Sequence, residues 1–425
     1  MKRTLIAEIG TNEAILTVCG WVQDIRILKN LSFLVLRDES GVCQVTVKNL
    51  EKPFDVASLN RESVILVNGM LVPQSQSKTG KEILASRITL LNAAKVPLPL
   101  APFDKVQADL DTRLNNRFLD LRNPRISSIF RLKSSILWGI RNFLMQNGFV
   151  EVQTPKIVAS ATEGGANLFN VKYFEDEAFL SQSPQLYKEI LISAGVGRVF
   201  EVGPAFRAEK HNTVIHLNEF TSVDIEMAFA DAEDAMRMLE GVVDSAIQNI
   251  LEANRKELEI LGIDLKRQPL PYPRVEFSEC LKILGDAGIK HDPEEDLTPE
   301  DLRVIAGRYS GFYFITKWPA SVRPFYTMPD HENPEFTNSF DLQYQEKEIT
   351  SGAQRVHDPA MLRSRFASKG LNPEDFDFYL KAFEYGMPPH SGWGLGLERL
   401  AMILLGLKNI RECAIFPRDR TRLKP

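Results

Sequence analysis

The sequence has no apolar run approaching the roughly 18 to 20 residues that a bilayer-spanning helix needs. Its opening stretch, MKRTLIAEIGTNE, also lacks the long apolar segment that heads a secreted chain. A cytoplasmic protein with no membrane attachment is the expectation. Cysteine is scarce: Cys19, Cys43, Cys280 and Cys413 include no C-x-x-C pair, which argues against a zinc ribbon or a disulfide framework and leaves buried thiols. Neither charge dominates. With 51 Lys and Arg against 56 Asp and Glu the net charge is −5, so bulk charge would not coat nucleic acid and any such partner must meet a local patch. There is no internal repeat and no biased tract, and a composition 44% hydrophobic and 25% charged is that of a globular chain able to bury a sizeable core. At about 100 to 200 residues per domain, the length requires two or three domains.

The first hundred residues read as β-rich. Runs at Leu16–Val22, Phe33–Leu36, Val42–Val47 and Ser63–Val67 are separated by Asp-Glu-Ser-Gly, Asn-Gly and Lys-Thr-Gly turn signals, which predicts a small barrel or sandwich. Twelve Lys and Arg against nine Asp and Glu make this module the basic part of the chain. Three prolines in KVPLPLAPFD, residues 95–104, fit neither a helix interior nor a central strand and mark a linker. The domains expected are 1–100, a linker over 101–125, and 126–425 with an insertion near 270–330. From Ile126 apolar residues recur at spacings of three and four, predicting an amphipathic helix that Gly148 ends. A strand over Phe149–Thr154, a helix over Ala232–Leu258 and a last helix from about Gly396 follow, with the acidic 291–302 segment on the surface.

Three segments carry candidate chemistry. Residues 199–229 read as two antiparallel strands; in the second, Thr221, Val223, Ile225 and Met227 fall on one face and Ser222, Asp224 and Glu226 on the other. Arg207 and Glu209 share a face of the first. Such a hairpin is either a solvated surface or the floor of an anion-and-metal site. In MPPHSGWGLGLERLAMILLGL, residues 387–407, glycines precede a helix whose first turn holds Arg399; a cation there suits a bound phosphate, although a glycine-rich turn before a buried helix is more often packing. In FDLQYQEKEITSGAQR, residues 340–355, alternation puts Glu346, Glu348 and Thr350 on one face, and Glu348, Ser351 and Arg355 could supply oxygen ligands for Mg2+ and a cation for a carboxylate, or an exposed charged strand.

The order of these segments, a helix and strand ending at Pro155, then FRAE with HLNE, then GLGLER, resembles the three signature motifs of class II aminoacyl-tRNA synthetases. The texts ATEGG, QSPQLYKE, FRAEKHNT, TSGAQR and NIRECAIFPRDRTRLKP are similar to the archaeal and eukaryotic aspartyl type, and the resemblance spans nearly the whole chain. It implies an α+β protein, an N-terminal OB-fold β-barrel that binds the anticodon plus a class II catalytic domain built on an antiparallel sheet flanked by helices. The implied activity is ATP-dependent ligation of L-aspartate to tRNA through aspartyl-adenylate, by a homodimer whose interface is built by the first motif.

Residue by residue, the resemblance assigns catalysis to Arg207, at the α-phosphate, and Arg399, near the γ-phosphate. ATP would also meet Glu209, His216, Leu217, Glu348, Gly396, Leu397 and Glu398, and Mg2+ would be held by Glu348 and Ser351. Lys188 and Arg355 match two cations that converge on the aspartate side-chain carboxylate, surrounded by Glu163, Gln185, Asp224, Ser351 and Arg207. Arg26, Phe33, Gln44, Lys78 and Glu82 match the anticodon contacts, Phe33 as a stacking platform or else as ordinary barrel core. Two positions depart from the family: Ile215 stands where an arginine is usual, and Gln23 is neither residue typical of the forms that charge one tRNA or two, while Lys78 lies nearer the one-tRNA pattern. The rival readings are activation of asparagine by the same fold and a non-catalytic RNA-binding paralogue.

Overall fold

The structure is a computed structural model that describes the chain apart from residues 1–2, 11–14, 30, 49, 74, 76, 104–107, 160–166 and 211–212. It divides into two compact units, Met1–Ala101 and Pro102–Pro425.

The first unit is a closed barrel of β1 (Leu16–Leu28), β2 (Leu31–Arg37), β3 (Val42–Val47), β4 (Val64–Leu71) and β5 (Glu82–Asn92), in the order β1-β2-β3-β5-β4. Alternate residues point inward, so Val18, Val22, Leu34, Leu36, Val45, Ile65, Val67 and Ile83 are fully buried. The four expected strands are present, β3 at the bounds expected and the other three longer, and β5, which closes the barrel, is one the sequence reading did not single out. Asn68–Gly69, read as a turn, lies inside β4 at a register shift against β5. A side chain at Gly69 would run into the Leu84 carbonyl, so the glycine serves a close strand approach.

The second unit begins where a linker was expected. Residues 101–125 carry α1 (Leu110–Asn115) and α2 (Arg117–Asp120) before α3 (Pro124–Gln146). Arg117 is buried, pairs with Asp120 at 2.6 Å and donates to the carbonyls of Ala414 at 3.0 Å and Ile415 at 3.1 Å. A stretch expected as linker thus forms an internal clamp on a distant segment. Asn123 caps α3, Ile129, Leu132, Ile136, Ile140 and Leu144 line its buried stripe, and Gly148 takes φ +79° just beyond it.

The expected strand after α3 shortens to β6 (Val150–Glu151), because Thr154 turns its N–H and hydroxyl to the Glu201 carboxylate at 3.1 and 2.7 Å. A small sheet of β7 (Ile157–Val158), β8 (Asn170–Tyr173) and β9 (Asp176–Leu180) precedes α4 (Gln185–Ser193) and the long hairpin of β10 (Arg198–Phe206) and β11 (Glu219–Ala228). The next helix starts at a capping box of Asp231 and Asp234 and breaks at Asn254 into α5 (Ala232–Ala253) and α6 (Arg255–Leu261). Then come β12 (Arg274–Glu276), α7 (Phe277–Asp286), α8 (Pro299–Ala306), β13 (Phe312–Thr316), β14 (Ser339–Tyr344), β15 (Lys347–Gln354), α9 (Pro359–Ser368), α10 (Asp377–Glu384), β16 (His390–Gly396) and α11 (Leu397–Leu404).

Eight strands form one sheet in the order β12-β13-β14-β15-β16-β11-β10-β6, antiparallel except at its two edges. The 270–330 region supplies the two outer strands β12 and β13, with Phe277, Cys280, Leu284, Ile305, Tyr313 and Trp318 packed in a core of their own. Within the 291–302 segment, Asp301 is buried as the partner of Thr298 in a capping box and of His291 at 3.1 Å. All four cysteines are buried free thiols.

Candidate active site

One face of the large sheet packs on α3 and α5; the other floors a cavity of about 460 Å3. Side-chain alternation in β11 makes the division: Val223, Ile225 and Met227 are in the core, while Ser222 and Asp224 face the cavity. Glu226, on the same side as Asp224, is fully buried beneath it. Strand register then aligns a row across the sheet, Asp341 opposite Ser351, Ser351 opposite Gly394, Gly394 opposite Asp224 and Asp224 opposite Glu201. Gly392 stands opposite Glu226, and a side chain there would collide with the Glu226 carboxylate and the Ile225 carbonyl.

Two buried cations meet over this row. Lys188, in the first turn of α4 and 2% exposed, lies 3.1 Å from Asp224 Oδ1, 3.4 Å from Glu226 Oε2 and 3.3 Å from the Trp393 carbonyl oxygen. A lysine early in a helix opposes the helix dipole, and the two carboxylates offset that. Arg355, just past β15 and 3% exposed, donates from Nε to Glu226 Oε1 at 3.0 Å and lies over the Tyr326 ring at 5.2 Å. Burial would weaken the Arg355 charge, but Glu226 and Glu189 hold its pKa above the ordinary arginine value. The two cations expected to converge from distant segments therefore do so on Glu226, which the sequence placed on the polar face without assigning it a role. Gln185 and Asp224 stand beside them, Ser222 donating to Asp224 Oδ2 at 2.5 Å. Glu163 lies outside the described residues.

At the other end of the cavity Arg207 crosses the Phe220 ring at 5.5 Å, and Glu209, Ile215 and His216 line the wall. Burial, with Arg399 and Arg207 nearby, lowers the His216 pKa and favours the neutral imidazole, whose Nδ1 is 2.7 Å from Thr213 Oγ1. Arg399 reaches back from α11 to donate to the Glu348 carbonyl at 2.9 Å. Leu217 and Leu397 are different: both side chains are buried in the main core. Glu398 is committed to internal bonds, with Lys133 Nζ at 2.6 Å and the Thr221 N–H at 2.9 Å. Leu217 and Glu398 still line part of the cavity wall, but none of the three presents a free side-chain polar group to a nucleotide.

The expectation that Glu346, Glu348 and Thr350 share a face is corrected by a bulge. Leu342 pairs with Thr350 but Gln343 with Glu348, so Ile349 is the extra residue and the alternation reverses across it. Glu346 lies in the preceding turn beside Lys347, Thr350 is buried, and Glu348 comes to the same side as Ser351. The bulge also adds Asp341, which sequence reasoning missed. Asp341 is 2% exposed, its Oδ2 takes a bond from Arg323 at 2.5 Å, and its Oδ1 is buried with no hydrogen-bond partner. Burial, reinforced by Glu348 and opposed by Arg323, pushes its carboxyl up to about 7. An orphaned buried oxygen next to a half-exposed carboxylate and a hydroxyl fits a hard divalent cation that keeps several of its waters. Arg323, also missed, spans the place by donating to Ser351 Oγ at 3.1 Å and stacking on Trp318.

A strap of later chain fastens the hairpin's loop. The Asn218 N–H donates to the Arg418 carbonyl at 2.8 Å, Arg420 to the Lys210 carbonyl at 2.6 Å and Arg411 to the Thr213 carbonyl at 3.1 Å. Arg411 is itself fixed by Asp419 at 2.6 Å.

On the barrel, Arg26 pairs with Phe33 and Phe33 with Thr46, while Gln44 lies between Val35 and Glu82. Phe33 is partly exposed and outside the barrel core, so its ring is on the outer face with Arg26 and Gln44. Glu82 accepts from Thr46 and, at 2.7 Å, from Ser75. Burial opposes its charge, but these bonds hold the carboxyl below its ordinary value. Lys78 is exposed in a turn closed by Gly80, and Gln23 is the extra residue at a register shift of β1.

Residues 109–420 match the family described as tRNA synthetases class II (D, K and N). The chain belongs to that family. Residues 16–91 match the OB-fold nucleic acid binding domain, the closed barrel just described. Among relatives, the chain is 58% identical over 428 residues to an aspartate–tRNA(Asp) ligase of Thermoplasma acidophilum, with all of both chains covered. It is 50% identical over 412 residues to an aspartate–tRNA(Asp/Asn) ligase of Methanococcus aeolicus, covering 96% of this chain and 94% of that one. Among solved class II synthetases, an asparaginyl-tRNA synthetase of Pyrococcus horikoshii complexed with asparaginyl-adenylate superposes with a TM-score of 0.91 at 32% identity, all of both chains covered.

Proposed function

We propose that this class II synthetase is an aspartate–tRNA ligase that makes aspartyl-adenylate from L-aspartate and ATP and transfers the aspartyl group to the 3′ end of tRNA. The observation that carries the choice of amino acid is the buried meeting of Lys188 and Arg355 on Glu226, with Arg355 lining the cavity and Lys188 just behind Asp224, because two fixed cations there favour a carboxylate over a carboxamide. Asp224 and Gln185 supply acceptors for the substrate's ammonium. The α-carboxylate of aspartate attacks the α-phosphorus of ATP, the bond to the bridging oxygen of pyrophosphate breaks, and Arg207 stabilises charge developing on the α-phosphate. Arg399 and Glu209 position the nucleotide, with His216 at its phosphate end. Asp341, Glu348 and Ser351 would hold Mg2+, which supplies neutralisation of the departing pyrophosphate. The terminal ribose hydroxyl of tRNA then attacks the activated carbonyl and AMP leaves. No side chain need act as a covalent nucleophile.

Arg26, Phe33, Gln44, Lys78 and Glu82 read the anticodon from the barrel, Phe33 by stacking. The enzyme works in the cytoplasm as a C2 homodimer, so gel filtration is expected to show about twice 48.1 kDa.

Pyrophosphate exchange with each amino acid tests the central reading: stimulation by aspartate is expected, and stimulation by asparagine alone would overturn it. Relatives that are an aspartate–tRNA(Asp) ligase and an aspartate–tRNA(Asp/Asn) ligase give the tRNA question two answers. Charging of separate transcripts carrying the aspartate and asparagine anticodons decides it.

A further inference from the structure

Beneath the two cations is a buried cluster to which neither the sequence nor the reaction assigns a part. Glu189 in α4, His390 at the start of β16 and Tyr379 in α10 are each 0% exposed. His390 Nδ1 is 2.8 Å from the Pro388 carbonyl oxygen and Nε2 is 2.9 Å from Glu189 Oε2. A carbonyl oxygen only accepts, so Nδ1 carries a hydrogen. Glu189 already accepts from the Tyr379 hydroxyl at 2.8 Å and from Gln185 Nε2 at 2.5 Å. With two donors and the Arg355 charge directed at it, Glu189 is the anion, Nε2 carries the second hydrogen, and His390 is an imidazolium.

Two consequences reach the cavity. Because the Gln185 amide nitrogen is committed to Glu189, its carbonyl oxygen is the atom left for the cavity that Gln185 lines. And because His390 cancels Glu189, the buried groups around the cations balance: Lys188 and Arg355 against Asp224 and Glu226. A neutral residue at 390 would leave Glu189 uncompensated beside Arg355 and make the cluster net negative before any substrate carboxylate arrives.

We propose that His390 is a positioning residue for amino-acid selection, holding Glu189 charge-balanced so that Arg355 and Lys188 keep their preference for a carboxylate and Gln185 keeps its oxygen toward the bound amino acid. This rests on the reading that Lys188 and Arg355 take the aspartate side chain.

The test is pyrophosphate exchange by the full chain with aspartate and with asparagine. In His390→Gln the KM for aspartate rises about tenfold or more and the preference over asparagine falls in step, while the KM for ATP stays within about threefold. Adding Glu189→Gln, which removes the stranded charge, restores the aspartate KM to within about threefold of the parent. An unchanged aspartate KM in the single variant overturns the inference, as does a double variant no better than the single, which is the outcome for a packing role. Lys188→Met separates the two levels: if it leaves the aspartate KM unchanged, the underlying site reading fails, whereas a large rise there with none in His390→Gln sinks only the role of His390. If the single variant does not fold, ring-nitrogen NMR of the parent protein at pH 7.5 still decides. Both His390 nitrogens are expected to be protonated, and a bare nitrogen overturns the inference.

Discussion

Lys188 shows how far a single residue's sequence context can mislead. Taken by itself it is a lysine near a helix start, where solvent exposure would be normal. Its 2% exposure follows from partners on a distant strand, Asp224 and Glu226 of β11, which no local pattern could reveal. Replacing it with methionine leaves two buried carboxylates short of a cation. The KM for aspartate is expected to rise about a hundredfold in pyrophosphate exchange, with a much smaller change for ATP. Arg207, Arg399, Glu348, Ser351 and Arg355 were singled out because ordered motifs carried them, and the structure brings all five to one cavity. Asp341 was not, since one aspartate in FDLQ looks like any polar residue of an alternating strand until the bulge at Ile349 brings Glu348 to its side.

At the scale of elements, periodicity found α3 and the polar face of β11 but missed the breaks in both directions. The helix breaks where Asn254 leaves helical geometry at φ −126° and ψ 36°, and β6 is short because the Thr154 N–H and hydroxyl bond to the Glu201 carboxylate in place of the regular ladder. Residues 101–125 were read as linker because the prolines of residues 95–104 break regular structure, whereas the arginines and aspartates that follow pair with one another and with the 412–415 segment. The same logic gives a pH prediction for the strap. Burial alone would raise the Asp419 carboxyl, but bonds from Arg411 and the Thr421 N–H outweigh it and hold the pKa at about 2, below its ordinary 3.8. A lowered carboxylate stabilises the fold above the unfolded value, and that contribution fades as pH falls through the folded one. Asp419→Asn is therefore expected to cost on the order of 1 to 2 kcal/mol at pH 7, measured by denaturant unfolding. The deficit should shrink between about pH 4 and pH 2.

For the molecule as a whole, the two units have separate hydrophobic cores, and the barrel's is complete within residues 6–88. Residues 102–425 expressed alone should fold and exchange pyrophosphate with a KM for aspartate within about threefold of the full chain, while tRNA charging falls by tenfold or more for loss of the anticodon contacts. A fragment inactive in exchange would show that the catalytic unit depends on the barrel. The order of the chain has a further consequence through Arg411, Arg418 and Arg420, which grip a loop made some two hundred positions earlier. While the ribosome is still building everything between them, that loop has only its bonds across the hairpin and to Asn167, and its end of the pocket remains unfinished. A nascent copy thus completes this end of the pocket only late in its own synthesis, once β16 has entered the middle of the sheet and the strap has followed it.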